Sequence, residues 1–241
     1  MTNPRRMQMA ASGVSKCEPA NGNEVLLIHS DTTDGSTTFT DSTGTHTMSV
    51  TGNAQHDTAQ AKFGGSSMLF DGSGDYVTCP AHANFNFGSG LWSIDFWWRS
   101  TTSVIESLVC LGKWDVVDGP VASFQSSDGD LAVNYNLSTG RIFNEGSGST
   151  AIDSGDWVHI AIARTTSTTL KAFINGTEDA GQAETISSGA TMTELATPVS
   201  IGHMIGRDQY DATGWIDEVR IIKGAAPWTS NFTPPEAPYC D

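Results

Sequence analysis

Paired carboxylates are the first chemistry to look for, because two of them on one strand face can act as acid and nucleophile on a glycosidic bond. Alternate residues of a strand share a face. In the strand-like stretch SIDFWWRS, residues 93–100, Asp95 shares its face with a serine and a tryptophan and with no second acid. Asp217 and Glu218 are adjacent, so they point to opposite faces. The sequence also lacks GxSxG and HExxH, and we therefore predict no catalytic residues and a protein that is not an enzyme.

Two adjacent tryptophans in the same stretch must also point to opposite faces. Trp98 shares its face with Trp92, Ile94 and Phe96, which predicts that it belongs to the core. Trp97 lies on the mixed face. It either forms a second layer of core beneath a long loop or lines an open groove, where its ring would stack on a sugar.

Two loop-like stretches carry the side chains that glycan sites use. Trp114 lies in LGKWDVVDGP, and HMIGRDQYDATG brings together His203, Arg207, Asp208 and Tyr210. Loops on a rigid β scaffold are common places for binding sites. With Trp97, these residues are the candidate glycan-binding set.

The charge balance excludes one class of partner. The 241 residues include 27 acidic and 12 basic side chains, a formal net charge of −15. Binding to nucleic acid needs clustered lysine and arginine to neutralise phosphates. We expect no nucleic-acid partner, and we expect no membrane insertion because no run of about 18 apolar residues occurs.

The cysteines leave their pairing open. Cys17, Cys79, Cys110 and Cys240 show no CxxC or Cys–His spacing, which argues against a zinc site. Three disulfide connectivities are open to four cysteines, and Cys17 could meet Cys240 if the chain ends meet. Our expectation is nevertheless unpaired thiols.

The polar start of the chain reads as an arm. Residues 1–23 contain Arg5 and Arg6 and no apolar stretch long enough for a secretory signal, so we expect folding in a cytoplasm. Such an arm cannot bury enough apolar surface alone to offset its ordering entropy. We expect a neighbouring subunit to hold it, with Arg5 and Arg6 among the contacts.

The end of the chain reads as a proline-rich coil, residues 224–241, after a domain that spans 24–223. Aromatic residues spaced among prolines lie on a stiffened backbone and suit a partner's pocket. We predict that they anchor the protein in a homo-oligomer or another symmetric assembly; the alternative is that the coil folds back over its own sandwich. The predicted anchors are Trp228, Phe232 and Tyr239.

Short alternating stretches separated by turn residues predict an all-β fold. Asp71-Gly72, Asp128-Gly129 and Asn175-Gly176 each divide two apolar stretches, and Asn-Gly favours a type I′ hairpin turn. No long segment has the 3.6-residue period of a helix. We predict one jelly-roll sandwich of two antiparallel sheets with a coil at each end.

The order of the segments resembles a known family. KFGGSSMLFDGSGDYV, SIDFWWR and IDEVRIIKG follow one another as in the laminin-G-like jelly rolls of the concanavalin A-like lectin/glucanase superfamily. The resemblance covers roughly residues 24–235. The closing APWTSNFTPP is similar to versions found in bacteriophage virion proteins. The fold is shared by lectins, glycosidases and structural modules, so it does not fix a function.

The resemblance also implies a cofactor. Asp217 resembles the aspartate of the superfamily's last strand that holds a structural Ca²⁺, and Asp31 is a plausible second ligand. Calcium takes six to eight oxygens, many from backbone and water, so one or two carboxylates suffice. The alternative is that Asp217 caps a strand end or pairs with Arg220.

Three functions follow as hypotheses. The first is a virion structural protein, a capsid decoration or tail component with other virion proteins as partners and cell-surface glycans as a further ligand. The second is an extracellular carbohydrate-binding module or adhesin. A glycoside hydrolase ranks last, because the carboxylate pair is missing.

Overall fold

A computed structural model describes residues 17–19, 22–113, 121–144, 150–193, 196–207 and 209–241. The described residues form sixteen β-strands and two short 3₁₀ helices, Ala83–Phe85 and Ala180–Gln182. The strands are β1 (Glu24–Ile28), β2 (Ser49–Thr51), β3 (Gln55–Asp57), β4 (Ser67–Asp71), β5 (Tyr76–Cys79), β6 (Trp92–Arg99), β7 (Glu106–Leu111), β8 (Val121–Gln125), β9 (Leu131–Leu137), β10 (Gly140–Asn144), β11 (Val158–Thr166), β12 (Thr169–Ile174), β13 (Thr177–Glu178), β14 (Glu184–Thr185), β15 (Val199–Ile201) and β16 (Thr213–Lys223).

The strands form two antiparallel sheets, which confirms the predicted sandwich. The first sheet has the order β13-β12-β11-β6-β16-β4-β3, with β1 also paired to β16 and β14 to β12. The second sheet has the order β10-β9-β8-β7-β15-β5-β2. Strand β6 lies in the middle of the first sheet, between β11 and β16. Its apolar side chains on both faces of the sheet must therefore be covered by other parts of the chain. Among the described residues, no helix is long and apolar enough to cross a bilayer.

The predicted inward face of β6 is the centre of the core. Ile94, Phe96 and Trp98 are fully buried among apolar side chains of both sheets. The indole N–H of Trp98 donates to Gln125 Oε1 at 3.0 Å, which links β6 of the first sheet to β8 of the second. The assignment of Trp98 to the core is confirmed.

The predicted hairpin turn at Asn175-Gly176 is also confirmed. It joins β12 to β13, and its two residues have φ values of 49° and 76°. Both are positive, as a type I′ turn requires. Asparagine tolerates this region better than most residues, and glycine adopts it without steric cost.

Truncation of Trp98 should destabilise the sandwich strongly. Trp98→Ala removes a core aromatic and leaves the Gln125 side chain without this donor, so we expect a loss of about 3–5 kcal/mol in the free energy of unfolding. Urea denaturation measures it. Val104→Ala is the control, since Val104 is 52% exposed and should change the free energy by less than about 0.5 kcal/mol. A loss for Trp98→Ala no larger than for Val104→Ala would contradict its place in the core.

Candidate functional site

The C-terminal coil, residues 224–241, covers the outer face of the first sheet. It docks at the β12–β13 hairpin, where the Phe232 N–H donates to Gly176 O at 2.9 Å and the Glu178 N–H donates to Asn231 Oδ1 at 2.9 Å. A Cβ at Gly176 would collide with the carbonyl oxygen of Phe232. Only glycine therefore allows this turn and this docking together.

Aromatic rings hold the coil on the sheet. Trp228 and Phe232 stack with centroids 4.2 Å apart and planes 6° apart. Both rings meet His159 of β11 edge-on, at 5.5 and 5.7 Å, and Phe232 also meets Phe173 at 5.4 Å. The predicted assembly anchors Trp228 and Phe232 thus make their contacts within the chain.

A charged cluster lies buried beneath the end of the coil. Arg220 Nε donates to Asp95 Oδ1 at 3.0 Å, and the Tyr239 hydroxyl donates to Asp95 Oδ2. The guanidinium lies 3.6 Å from the centre of the Tyr239 ring. All three side chains are at most 5% exposed. Tyr239 is therefore a buried intrachain contact, and the alternative that the coil folds back over its own sandwich describes the structure.

The surroundings fix the charge state of this cluster. Burial alone would raise the pKa of Asp95, but Arg220 and the hydrogen bonds from its neighbours together hold that pKa below its ordinary value. Burial lowers the pKa of His159, whose Nε2 lies 3.7 Å from Asp95 Oδ2. At neutral pH an ionised Asp95 faces a cationic Arg220, a protonated Tyr239 and a neutral His159.

A strained glutamate fixes the last residues of the coil. Glu218 has φ of 52° and lies in the irregular register between Asp217 and Arg220 of β16. Its Oε2 accepts from the Tyr239 N–H at 2.9 Å, and its Oε1 lies 2.8 Å from His29 Nδ1. Burial lowers the pKa of His29, but Glu218 and Asp241 raise it by more, so the net shift favours the imidazolium. The unusual backbone persists because these contacts hold it.

A disulfide joins the two tail segments, residues 17–19 and 224–241. Cys17 and Cys240 are bonded, which makes the expectation of unpaired thiols wrong for this pair. Glu18 N–H donates to Pro238 O at 2.7 Å, and Cys240 N–H donates to Glu18 O at 2.8 Å. Cys79 and Cys110 are free and buried.

The joined tail segments enclose a cavity of about 440 Å³, named the tail cavity. It combines aromatic and proline rings with charged side chains. Its described lining residues are Glu18, Pro19, Arg220, Pro227, Trp228, Thr233, Pro234, Pro235, Glu236 and Tyr239. Trp228 is half-buried there, and Arg220 lies 5.3 Å from its ring centre.

A second cavity, the hydroxyl cavity, has about 510 Å³ and lies on the other side of Tyr239. Its described lining is rich in serine and threonine hydroxyls and includes His29, His56, Asp31, Glu218 and Asp241. It contains no aromatic ring from the predicted glycan-binding set.

Trp97 does not line an open groove in this structure, because its side chain is only 4% exposed. Lys62 Nζ lies 3.7 Å from the ring centre, and Phe63 and His159 meet the ring at 5.9 and 5.0 Å. The loop before β4 thus covers Trp97. The other interpretation, a second layer of core, is the one that fits.

The other predicted glycan-binding residues lie elsewhere. His203, Arg207 and Tyr210 share the loop 202–212, which an Ala212 N–H to Gly202 O bond of 2.8 Å closes. His203 Nδ1 lies 2.7 Å from Asp211 Oδ1, and Arg207 lies 5.7 Å from the Tyr210 ring centre. None of the three lines either cavity. Trp114 and Asp208 lie outside the described residues, as do Arg5 and Arg6.

The two predicted calcium ligands anchor one loop. Lys62 and Phe63 N–H donate to Asp217 Oδ2 at 2.9 and 3.3 Å, and Gly65 N–H donates to Asp31 Oδ1 at 2.8 Å. Burial and Glu218 raise the pKa of Asp217. The described residues contain no group of three His, Cys, Asp or Glu side chains that could hold a metal. Calcium binding stays a prediction.

Sequence reasoning missed the tail cavity because its walls are far apart in the chain. The spacing of aromatic residues among prolines predicts an assembly role for Trp228 and Tyr239, and Glu18 and Glu236 carry no local signal. The one available signal was the pair Cys17 and Cys240, whose meeting brings the walls together.

The fold and its covered sheet define a lectin-like jelly roll. The sequence profile described as the concanavalin A-like lectin/glucanases superfamily matches residues 71–229, more than half of the chain. The chain belongs to this superfamily. Among curated proteins, none matches the sequence.

Solved structures with the same fold include bacterial binding domains. The binding domain of Paraclostridial Mosquitocidal Protein 1 is 16% identical with a TM-score of 0.64, and the match covers 85% of this chain and 49% of that one. The botulinum neurotoxin serotype D ligand binding domain, solved in complex with N-acetylneuraminic acid, is 14% identical with a TM-score of 0.60, over 85% and 48%. At these identities the likeness shows the fold alone. This chain spans about half the length of those proteins.

The Asp95 cluster predicts a specific acid lability. A carboxylate with a depressed folded-state pKa gives stability that is present above its unfolded pKa of about 4 and is lost as the pH falls through the folded value. Asp95→Asn should therefore lower the melting temperature at pH 7 and reduce its dependence on pH below about 4. Thermal melts from neutral to acid pH measure this, with the exposed Asp156→Asn as control. Parallel melting curves for wild type and Asp95→Asn would contradict the assignment.

The calcium prediction is tested by metal removal. A ligand that binds only the folded state stabilises by RT ln(1 + [L]/Kd), about 2.7 kcal/mol at a hundredfold excess over Kd. We expect a higher melting temperature in Ca²⁺ than in a chelator, and no such difference for Asp217→Asn. Identical curves for the wild type in both buffers would leave Asp217 as a loop anchor only.

Proposed function

We propose that this chain is a non-catalytic carbohydrate-binding domain and that it binds neutral glycans in the tail cavity. The observation that carries the proposal is the lining of that cavity, which sets a half-buried tryptophan beside hydrogen-bonding side chains. Its volume of about 440 Å³ lies within the usual range for small-ligand sites, roughly 300–1,000 Å³.

The chemistry of the lining matches that of a sugar. The C–H face of a pyranose is apolar and packs on aromatic and proline rings, which Trp228 and Pro234 supply. Sugar hydroxyls donate to carboxylates and accept from guanidinium and hydroxyl groups. Glu18, Glu236 and Thr233 lie around the same cavity and meet this need.

The charges favour a neutral glycan over an acidic one. Arg220 is the one cation among the described lining residues, and Asp95 already neutralises it at 3.0 Å. Glu18 and Glu236 then leave the cavity acidic, on a chain of formal net charge −15. A sialic acid carboxylate would meet like charge at close range.

The comparisons support a binding role at the level of the fold. The superfamily includes lectins, and the neurotoxin serotype D domain was solved with N-acetylneuraminic acid. That ligand belongs to a protein about twice as long, so its site need not lie in the shared half. The charge of the tail cavity is our reason for proposing a different sugar class here.

A structural role in a virion is the second candidate, with the virion as location and other virion proteins as partners. The closing APWTSNFTPP, similar to phage sequences, supports it. Trp228, Phe232 and Tyr239 pack on their own sandwich, so we do not rest the virion role on these three residues. Detection of this chain in many symmetric copies in purified particles would support the role, and its absence from them would contradict it.

Removal of Trp228 should abolish most of the glycan affinity. Loss of an aromatic anchor costs about 2 kcal/mol or more, about thirtyfold in Kd. Binding is measured on an array of neutral oligosaccharides that includes lactose, with 3′-sialyllactose as its charged counterpart. We expect binding of neutral sugars by the wild type and weaker binding of the sialylated form.

Two variants separate binding from folding. Trp215→Ala removes another half-buried tryptophan, outside the cavity lining, and should bind as the wild type does. Glu236→Gln keeps the exposed side chain's shape and should weaken binding without changing the melting temperature. Wild-type affinity in both Trp228→Ala and Glu236→Gln, or no binding to any neutral sugar, would refute the proposed site.

A further inference from the structure

The tail cavity is built almost entirely from the two tail segments. Of its ten described lining residues, Arg220 alone comes from a strand; the others lie at 18–19 and 227–239. Arg220 of β16 is the contribution of the sheet to this described lining. Glu18 and Pro19 form one of its walls, so the cavity is complete only while the two segments lie side by side.

Among the described residues, a bridge at Glu18 joins the N-terminal wall to the C-terminal one. Glu18 and Tyr239 form a single parallel bridge, with two backbone hydrogen bonds of 2.7 and 2.8 Å. The Glu236 N–H reaches Glu18 Oε1 only at 3.5 Å. The Cys17–Cys240 bond is the covalent link between the walls. An isolated bridge of this size is too weak to order a polar segment against its conformational entropy.

The C-terminal wall has its own attachment. Phe232 and Trp228 pack on His159, and Lys171 Nζ donates to Thr229 O at 3.2 Å. These contacts do not involve Cys240. Opening of the disulfide thus releases the wall formed by Glu18 and Pro19 while the aromatic part of the coil stays docked on the sandwich.

The disulfide is also the cysteine group that a reductant can reach. Cys17 and Cys240 are half-buried, whereas Cys79 and Cys110 are buried. Burial raises the pKa of Cys79 to about 12, so it stays a thiol at neutral pH and does not exchange with the bond.

We propose that the tail cavity is a redox-gated site, assembled while Cys17–Cys240 is closed and dismantled when it is reduced. A dithiol donates two electrons and two protons: the S–S bond breaks, both cysteines become thiols, and the dithiol closes to its cyclic disulfide. That the gated ligand is a neutral glycan rests on the function proposed above. Glycan binding is then gained when the protein passes from a reducing cytoplasm to an oxidising surrounding.

The test compares three forms of the full chain. They are the oxidised protein, the protein reduced with dithiothreitol and alkylated with iodoacetamide, and the Cys17→Ser/Cys240→Ser variant. Cys79→Ala, which keeps the disulfide, is the matched control. Binding to lactose and the other neutral sugars of the array is measured for each, and circular dichroism checks that the sandwich remains folded. Hydrogen exchange of peptides from 233–241 and from β6 gives a readout that needs no glycan.

Both disulfide-free forms should bind neutral sugar about tenfold more weakly or worse, because the assembled cavity becomes a minor state. Within 233–241, exchange should quicken at the Glu236 and Cys240 amides, whose acceptors belong to Glu18, and it should stay slow in β6. Equal affinity in oxidised and disulfide-free protein would overturn the gating. If the oxidised protein binds no sugar, the proposed function fails, and exchange alone then decides: quicker exchange in 233–241 supports the gating, and unchanged exchange overturns it.

Discussion

The structure of this domain depends on the burial of one ion pair. Asp95 and Arg220 lie on neighbouring strands of the first sheet and are withdrawn from water by the coil that crosses them. A buried charge is tolerated only when its partner and its hydrogen bonds are complete. Arg220 supplies the opposite charge, and the Tyr239 hydroxyl supplies the remaining donor. Coil and sheet therefore need each other: an uncovered sheet would leave this pair in water, and a misplaced coil would bury it incompletely.

The sandwich itself could be predicted because its signals are local. The alternation of apolar and polar residues along β6 identifies Trp98 as a core residue, and the dipeptide Asn175-Gly176 alone predicts a hairpin turn. The cover of the outer face could not be predicted in this way. Trp97 lies on a face with mixed chemistry, and its cover is the loop around Lys62 and Phe63. The neighbouring His159 is covered by the C-terminal coil, which has no periodicity. No pattern within either segment shows where it packs, because that depends on how the whole sheet presents its face.

The candidate site was beyond sequence reasoning for a related reason. Cys17 and Cys240 are separated by 223 residues, and only the meeting of the chain's two tails brings Glu18 to Trp228. The sequence places His203, Arg207, Asp208 and Tyr210 in one loop. The described members of this set line neither cavity. Suitable residue types that are close in the sequence thus identify a loop. The tail cavity is formed by residues that are far apart in the sequence, so no local pattern identifies it.

The covalent closure of the tails has a mechanical consequence. Cys17 and Cys240 bracket the sandwich, so the chain between them is a ring whose two attachment points are 5.0 Å apart at their Cα atoms. Tension applied through residues outside the ring passes across the sulfur–sulfur bond and bypasses the strands. The hydrogen-bonded ladders that flank β6 and β16 then carry none of the pull. A domain that is pulled through residues on either side of this ring would stay folded under force until the Cys17–Cys240 disulfide breaks.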